Sequence, residues 1–235
     1  MKIKDNFNKA AKIYNQNAIL QKKVASDLII LCSPFITNSS KIIDLGSGTG
    51  FLHDFISEKQ QISNFFALDL AINMLKESKC DFKINADLNH LPLQKNSFDL
   101  AISSLSLQWI IDFKKVFRQI YDILKPNGYF CFSIIAKNSL KNIQSLGIKN
   151  LNINQFPDKE FIENNLQIFS NIKIIEKKIT LKYDNYYNIL QSMKKIGAGT
   201  AINDNYSLGI AELRELMAMK DVFEDWEVIY AIAEK

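Results

Sequence analysis

Residues 42–50 read Ile-Ile-Asp-Leu-Gly-Ser-Gly-Thr-Gly, and this stretch limits what the chain can fold into more tightly than any other. Two β-branched residues suit a buried strand. Asp44 closes it, and Gly46, Gly48 and Gly50 then alternate with Ser47 and Thr49. Glycines at such a turn let the backbone bend sharply and bring its N–H groups against a ligand. The dinucleotide fingerprint needs its third glycine one residue later, where this chain has Phe51. Asp44 would also repel a pyrophosphate. An acid beside the turn suits a positively charged ligand, such as the ammonium and sulfonium groups of S-adenosylmethionine. The plainer alternative is an ordinary strand-to-helix turn, and three alternating glycines after an acid argue against it.

A nucleoside site calls for a second acid about 20 residues on, at the end of the next strand. Phe65-Phe66-Ala67-Leu68-Asp69 supplies it. A carboxylate there can accept from both ribose hydroxyls, each bond contributing roughly 1.5–3 kcal/mol. The third apolar run ends at Asn85-Ala86-Asp87-Leu88, placing Asp87 for an adenine amino group and Leu88 for the ring. The fourth leads into Ser103-Ser104-Leu105-Ser106-Leu107-Gln108-Trp109, whose slim polar side chains leave room for the reactive part of a ligand. A lone acid after a strand is usually a helix cap. Asp44, Asp69 and Asp87 at three successive strand ends form a much rarer coincidence.

The intervening pattern predicts an α/β fold. Apolar spacings of three and four over 5–33, including Phe7, Ala10, Ala11, Tyr14 and Ala18, predict helix up to Pro34. Strands are expected near 41–45, 65–69, 82–86, 98–103 and 128–135, with helices near 50–59, 71–78 and 112–124 between them. Pro126-Asn127-Gly128 reads as the turn into the last of these strands. Such alternation implies a doubly wound parallel sheet covered on both faces. Beyond 135 the expectation is a polar loop to Pro157, a helix near 158–168, a strand over 172–183, helix over 185–222 broken at Gly197-Ala198-Gly199, and a final strand over 226–233.

Composition narrows the function classes. At 235 residues the chain accommodates one α/β domain with an elaboration. The net charge of +4 comes mostly from lysine, with Arg118 and Arg214 the two arginines, and no basic block grips a phosphate backbone. No apolar run is long enough to span a bilayer. Met1 to Asn17 has no apolar signal region. Neither nucleic acid nor membrane is therefore expected as a partner, and a cytoplasmic location is expected. Cys32, Cys80 and Cys131 are scattered and read as free thiols of a reducing compartment. With His53 and His90 the two histidines, no metal site is expected.

The glycine turn followed by acids after strands two and three resembles the class I S-adenosylmethionine-dependent methyltransferases, over about 41–135. The flanks resemble the malonyl-acyl-carrier-protein O-methyltransferase family of biotin synthesis. The matching segments are Phe7-Asn8-Lys9-Ala10-Ala11 with Tyr14 and Leu20-Gln21, Asp69-Leu70 with Asn73-Met74-Leu75, Leu91-Pro92-Leu93, Leu107-Gln108-Trp109, and Lys194 with Ile196-Gly197-Ala198.

The resemblance implies one domain. Residues 1–40 would form lid helices, 41–135 the cofactor-binding core, 136–225 an inserted helical cap with one core strand, and 226–235 the final strand. It implies S-adenosylmethionine as cofactor, S-adenosylhomocysteine as product, and contacts from Asp44, Gly46, Ser47, Gly48, Thr49, Gly50, Asp69, Leu70, Met74, Asp87, Leu88 and Ser104. Tyr14 would close over the cofactor, and Gln108 and Trp109 would shape the methyl-transfer pocket. The implied reaction is methylation of the free carboxylate of a malonyl thioester on an acyl carrier protein, by a monomer. A carboxyl group with pKa around 4 is already ionised at pH 7 and needs no general base. Its binding does need a donor, for which Lys194 is the first candidate, ahead of Lys195, Arg214 and Lys137. The alternatives are another small carboxylate or quinone precursor as acceptor, and a noncatalytic assembly factor on the same fold. An NAD oxidoreductase is disfavoured by Phe51 and Asp44.

Overall fold

The apolar runs at 42–45, 65–69 and 98–104 become adjacent buried strands because each carries too many apolar side chains to face water on either side. The run at 82–85 is a largely exposed edge. In the computed structural model, which describes residues 2–148, 155–201 and 209–235, two helices lead the chain, α1 (Lys2–Asn17) and α2 (Ile19–Cys32). Then come β1 (Ile42–Leu45), α3 (Phe51–Ser57), β2 (Phe65–Asp69), α4 (Ile72–Glu77), β3 (Phe82–Asn85), β4 (Phe98–Ser104), α5 (Phe113–Ile123) and β5 (Leu124–Ile135). The described part continues through α6 (Lys141–Gln144), α7 (Lys159–Asn165), β6 (Ser170–Tyr183), α8 (Tyr186–Lys195), α9 (Ile210–Ala218) and β7 (Val222–Glu234).

These strands form one sheet in the order β3-β2-β1-β4-β5-β7-β6. β1 to β5 run parallel, and β7 is antiparallel to both β5 and β6. The order reverses between β1 and β4, which makes the carboxyl ends of those strands the crevice where an open α/β sheet binds ligands. The register sets Asp44 between Ala67 and Ile102, and Asp69 beside Asn85.

Both faces are covered. α2 buries Val24, Ala25, Leu28, Ile29 and Cys32 against one, and α5 buries Val116, Phe117, Ile120 and Ile123 against the other. Side chains of this kind contribute about 1.5–3 kcal/mol each when fully buried. α5 starts where it does because the Asp112 carboxylate accepts the Lys115 amide N–H at 3.0 Å. A smaller cluster joins Ala10 and Ala11 of α1 to Ala71 and Met74, laying the first helix over α4.

Four expectations are corrected in detail. The helix expected over 5–33 is two, separated at Ala18. The Asn17 side-chain amide donates to the Ile13 carbonyl at 2.8 Å, a local competition that ends helices. The break lets α1 lie on α4 while α2 packs on the sheet. Pro126-Asn127-Gly128 lies within β5, where the pairing with β4 shifts register between Phe98 and Leu100. The helical stretch expected over 185–222 does break at Gly197-Ala198-Gly199, after α8, but α9 ends at Ala218, short of 222, and 202–208 lie outside the described residues. The last strand starts at Val222, because its outer half pairs with β6 as far as Tyr183.

Candidate active site

The glycine turn is bound to the neighbouring strand before any ligand is considered. The amides of Gly46 and Ser47 both donate to the Leu68 carbonyl, at 2.8 and 2.9 Å. Gly46 has φ +75°, and a Cβ there would lie 2.4 Å from Ser106 Cβ. Only glycine passes between the turn and the segment after β4. From the other side, Ser103 and Ser106 each donate to the Leu45 carbonyl at 2.7 Å. The serine run therefore fastens the tips of β1 and β4 together, and of its serines Ser104 and Ser106 reach the cleft.

Asp69 is held by two backbone donors, Gly48 N–H at 2.8 Å and Ala71 N–H at 2.7 Å, one on each oxygen. Burial pushes its carboxyl up from the ordinary value, while those amides pull it down. Asp44 is 1% exposed and neither of its oxygens has a hydrogen-bond partner. Burial raises its carboxyl well above the ordinary range, and the charge of Asp69 raises it further. Asp87 accepts from the Asn89 backbone and side-chain amides on Oδ1, at 2.9 and 2.8 Å. It is thus a turn-forming residue as well as a cavity residue. The Tyr14 phenol is pushed up by burial and then by Asp69, so it remains a donor and not a base.

A cleft of about 920 Å³, continuous with solvent, joins these groups. Asp44, Gly46, Ser47, Gly48, Asp69, Leu70, Met74, Asp87, Leu88 and Ser104 line it, as do Tyr14 and Trp109. Other residues named from the sequence lie elsewhere. The Thr49 hydroxyl donates to the Asn15 side chain and ties the turn to α1. Gly50 is the left-handed residue preceding α3. Gln108 is outside the lining; its Nε2 donates to the Leu105 carbonyl at 2.7 Å, supporting a residue held at φ +48°. Lys194 and Arg214 are exposed and do not line the cleft, nor does Lys137, which pairs with Asp158 at 3.3 Å.

Sequence reasoning did not assign Ile3, Lys4, Phe7, Gln21, Phe51 and Asn89 to the cavity, yet they line it. The α1 residues extend the same helical face as Tyr14, at spacings of three and four, so the periodicity that predicted the helix also held this information. Phe7 meets Trp109 edge-on with ring centroids 5.8 Å apart, and Tyr14 lies 6.0 Å from Phe51. α1 thus roofs the cleft from the segment after β4 to the start of α3.

A buried carboxylate without a partner, facing a cleft that also presents Asp69 and Asp87, favours a ligand that brings its own positive charge. S-adenosylmethionine meets that demand with its ammonium and sulfonium groups. The profile of the methyltransferase domain family matches residues 43–132. A malonyl-acyl-carrier-protein O-methyltransferase from Buchnera aphidicola subsp. Baizongia pistaciae is 33% identical over 88% of this chain and 84% of its own length.

The chain belongs to the S-adenosylmethionine-dependent methyltransferases. A second relative of this methyltransferase with the same name, from Calditerrivibrio nitroreducens, is 29% identical over 84% of this chain and 79% of its own length. The fold agrees with a solved S-adenosylmethionine-dependent methyltransferase of Thermotoga maritima, at a TM-score of 0.59 and 14% identity, covering 98% of this chain and 99% of that one. The enzyme's cofactor is S-adenosylmethionine.

Proposed function

We propose that this methyltransferase esterifies the free carboxylate of a malonyl thioester carried on an acyl carrier protein, an early step of biotin synthesis. The carrying observation is the extent of the likeness to the malonyl-acyl-carrier-protein O-methyltransferases. It runs over 84–88% of the chain, well beyond the family core at 43–132, and so includes segments outside the cofactor turn.

The chemistry is compatible. Bound S-adenosylmethionine supplies an electrophilic methyl group on a sulfonium. The acceptor oxygen is already ionised at neutral pH, so the chain's work is to bind, orient and exclude water. Asp44 would face the cofactor's cationic end, Asp69 the ribose hydroxyls, and Asp87 with Leu88 the adenine. Tyr14 and Phe7, on the helix roofing the cleft, would shield the reacting groups from solvent, and Trp109 would form the wall on the acceptor side. Alignment of this kind can supply roughly 7–11 kcal/mol of the barrier.

The chain is read as a single catalytic domain, with 136–225 as the region that chooses the acceptor. Acyl carrier protein is the proposed partner, a monomer the proposed state and the cytoplasm the proposed location. No described helix is long and apolar enough to cross a membrane. The test is incubation with methyl-labelled S-adenosylmethionine and malonyl-carrier protein. Base-labile label on the carrier supports the reading, and label appearing solely on free acids or ring carbons overturns it. Rescue of a biotin-requiring strain is the corresponding genetic measurement.

A further inference from the structure

We propose that Lys4 is the cation that holds the acceptor's carboxylate, an assignment that rests on the carboxylate-acceptor reading above. Lys4 is half-buried and lines the cleft. Among the described residues it is the one lysine, arginine or histidine in that lining, and its ammonium has no ion-pair or hydrogen-bond partner. Other partly exposed lysines do carry partners: Lys125 pairs with Asp99, Lys177 with Asp27, and Lys83 donates to the Ser78 carbonyl. A cation left unmatched on the wall of a cleft is placed for a ligand's charge.

The cleft needs such a cation for this class of acceptor. Its wall carries Asp44, Asp69 and Asp87, all of which repel an incoming carboxylate. A carboxylate withdrawn from water without an opposite charge is strongly disfavoured.

Position along the lid separates Lys4 from the cofactor end. α1 runs past the glycine turn at Tyr14 and Asn15, where Tyr14 meets Phe51 and Asn15 takes the Thr49 hydroxyl. Its opposite end comes to the segment after β4, where Phe7 meets Trp109. Lys4 lies one helical turn before Phe7, on the same face. The flexible stem and compact charge of lysine suit a carboxylate that must move into line with a methyl group. Esterification removes the charge, so Lys4 would attract the substrate and not the product. The same residue would then favour entry of the acid and release of the ester.

The experiment uses the full chain saturated with S-adenosylhomocysteine, as parent, Lys4→Met and Lys4→Arg. Fluorescence anisotropy measures binding of labelled malonyl-carrier protein and of the same carrier bearing the malonyl methyl ester. Calorimetry measures S-adenosylhomocysteine itself. Loss of one charge-assisted contact predicts that Lys4→Met weakens the acid-bearing carrier by roughly tenfold or more. The ester-bearing carrier and S-adenosylhomocysteine should bind as to the parent, and Lys4→Arg should recover most of the loss. Equal weakening of both carriers would show that Lys4 merely seats the lid and overturn the assignment. Weakened S-adenosylhomocysteine binding would assign Lys4 to the cofactor instead, with the same result. Unchanged binding throughout also overturns it. A parent enzyme that fails to bind or methylate malonyl-carrier protein removes the acceptor reading, and the Lys4 assignment with it.

Discussion

Replacing Asp44 with asparagine should stabilise the ligand-free protein and loosen its hold on the cofactor at the same time. The parent carboxylate is 1% exposed, and both of its oxygens lack a hydrogen-bond partner. Relieving one such buried, unsatisfied charge is worth about 1–3 kcal/mol. For a protein of this size that raises the melting temperature by about 2–12 °C. Asparagine keeps the shape but offers the cofactor's cationic end no charge. Losing a charge-assisted contact of roughly 1.5–3 kcal/mol weakens binding by roughly 10- to 150-fold.

The pH dependence has a definite sign. In the unfolded chain Asp44 ionises at the ordinary carboxylate value of 3.8, and in the folded chain well above it, first through burial and then through Asp69. Asp44 therefore opposes folding increasingly as pH rises from about 4 to its raised folded value, and by a constant amount beyond that. The melting-temperature advantage of Asp44→Asn should open over this interval and vanish below it. Scanning fluorimetry from pH 4 to 8, with calorimetry for S-adenosylmethionine and S-adenosylhomocysteine, measures all three effects. A variant that melts below the parent at pH 7, or binds S-adenosylmethionine as tightly, would refute the reasoning.

Other substitutions probe the frame around the site. Asp69→Ala removes the acceptor for the Gly48 and Ala71 amides, and calorimetry should show cofactor affinity falling by about a hundredfold or more. Gly197→Ala places a Cβ 2.9 Å from Phe7 Cα at a residue with φ +82°. It should destabilise by about 1–3 kcal/mol and hasten proteolysis within α1, since Gly197 is where the segment after α8 touches α1. Glu224 is fully buried and accepts the Asn142 and Ile143 amides at 3.1 and 2.8 Å. Truncating it to alanine should lower denaturant stability by about 1–3 kcal/mol while leaving S-adenosylhomocysteine binding intact.

The parts of this protein legible in its sequence are those whose causes are local. Asp44 with its glycines, and Asp69 one strand later, could be placed because a strand end and a turn are fixed by a few consecutive residues. Strands β1 to β4 were readable for the same reason, since each is one short apolar run. Backbone competition at Asn17 and the register shift in β5 blurred element ends, where periodicity carries little information. The dual role of Asp87 was also hidden, because its partner Asn89 lies in an irregular turn.

Tertiary structure alone decided which distant residues share the cleft. A helical face specifies that Lys4, Phe7 and Tyr14 point together, but not that α4 and Trp109 lie beneath them. The antiparallel placement of β7 between β5 and β6 likewise depends on pairing across long stretches of chain. Lysines such as Lys194 and Lys4 look alike in sequence, yet Lys4 lines the cleft and Lys194 does not. That difference is set by packing between elements far apart along the chain, and no local pattern encodes it.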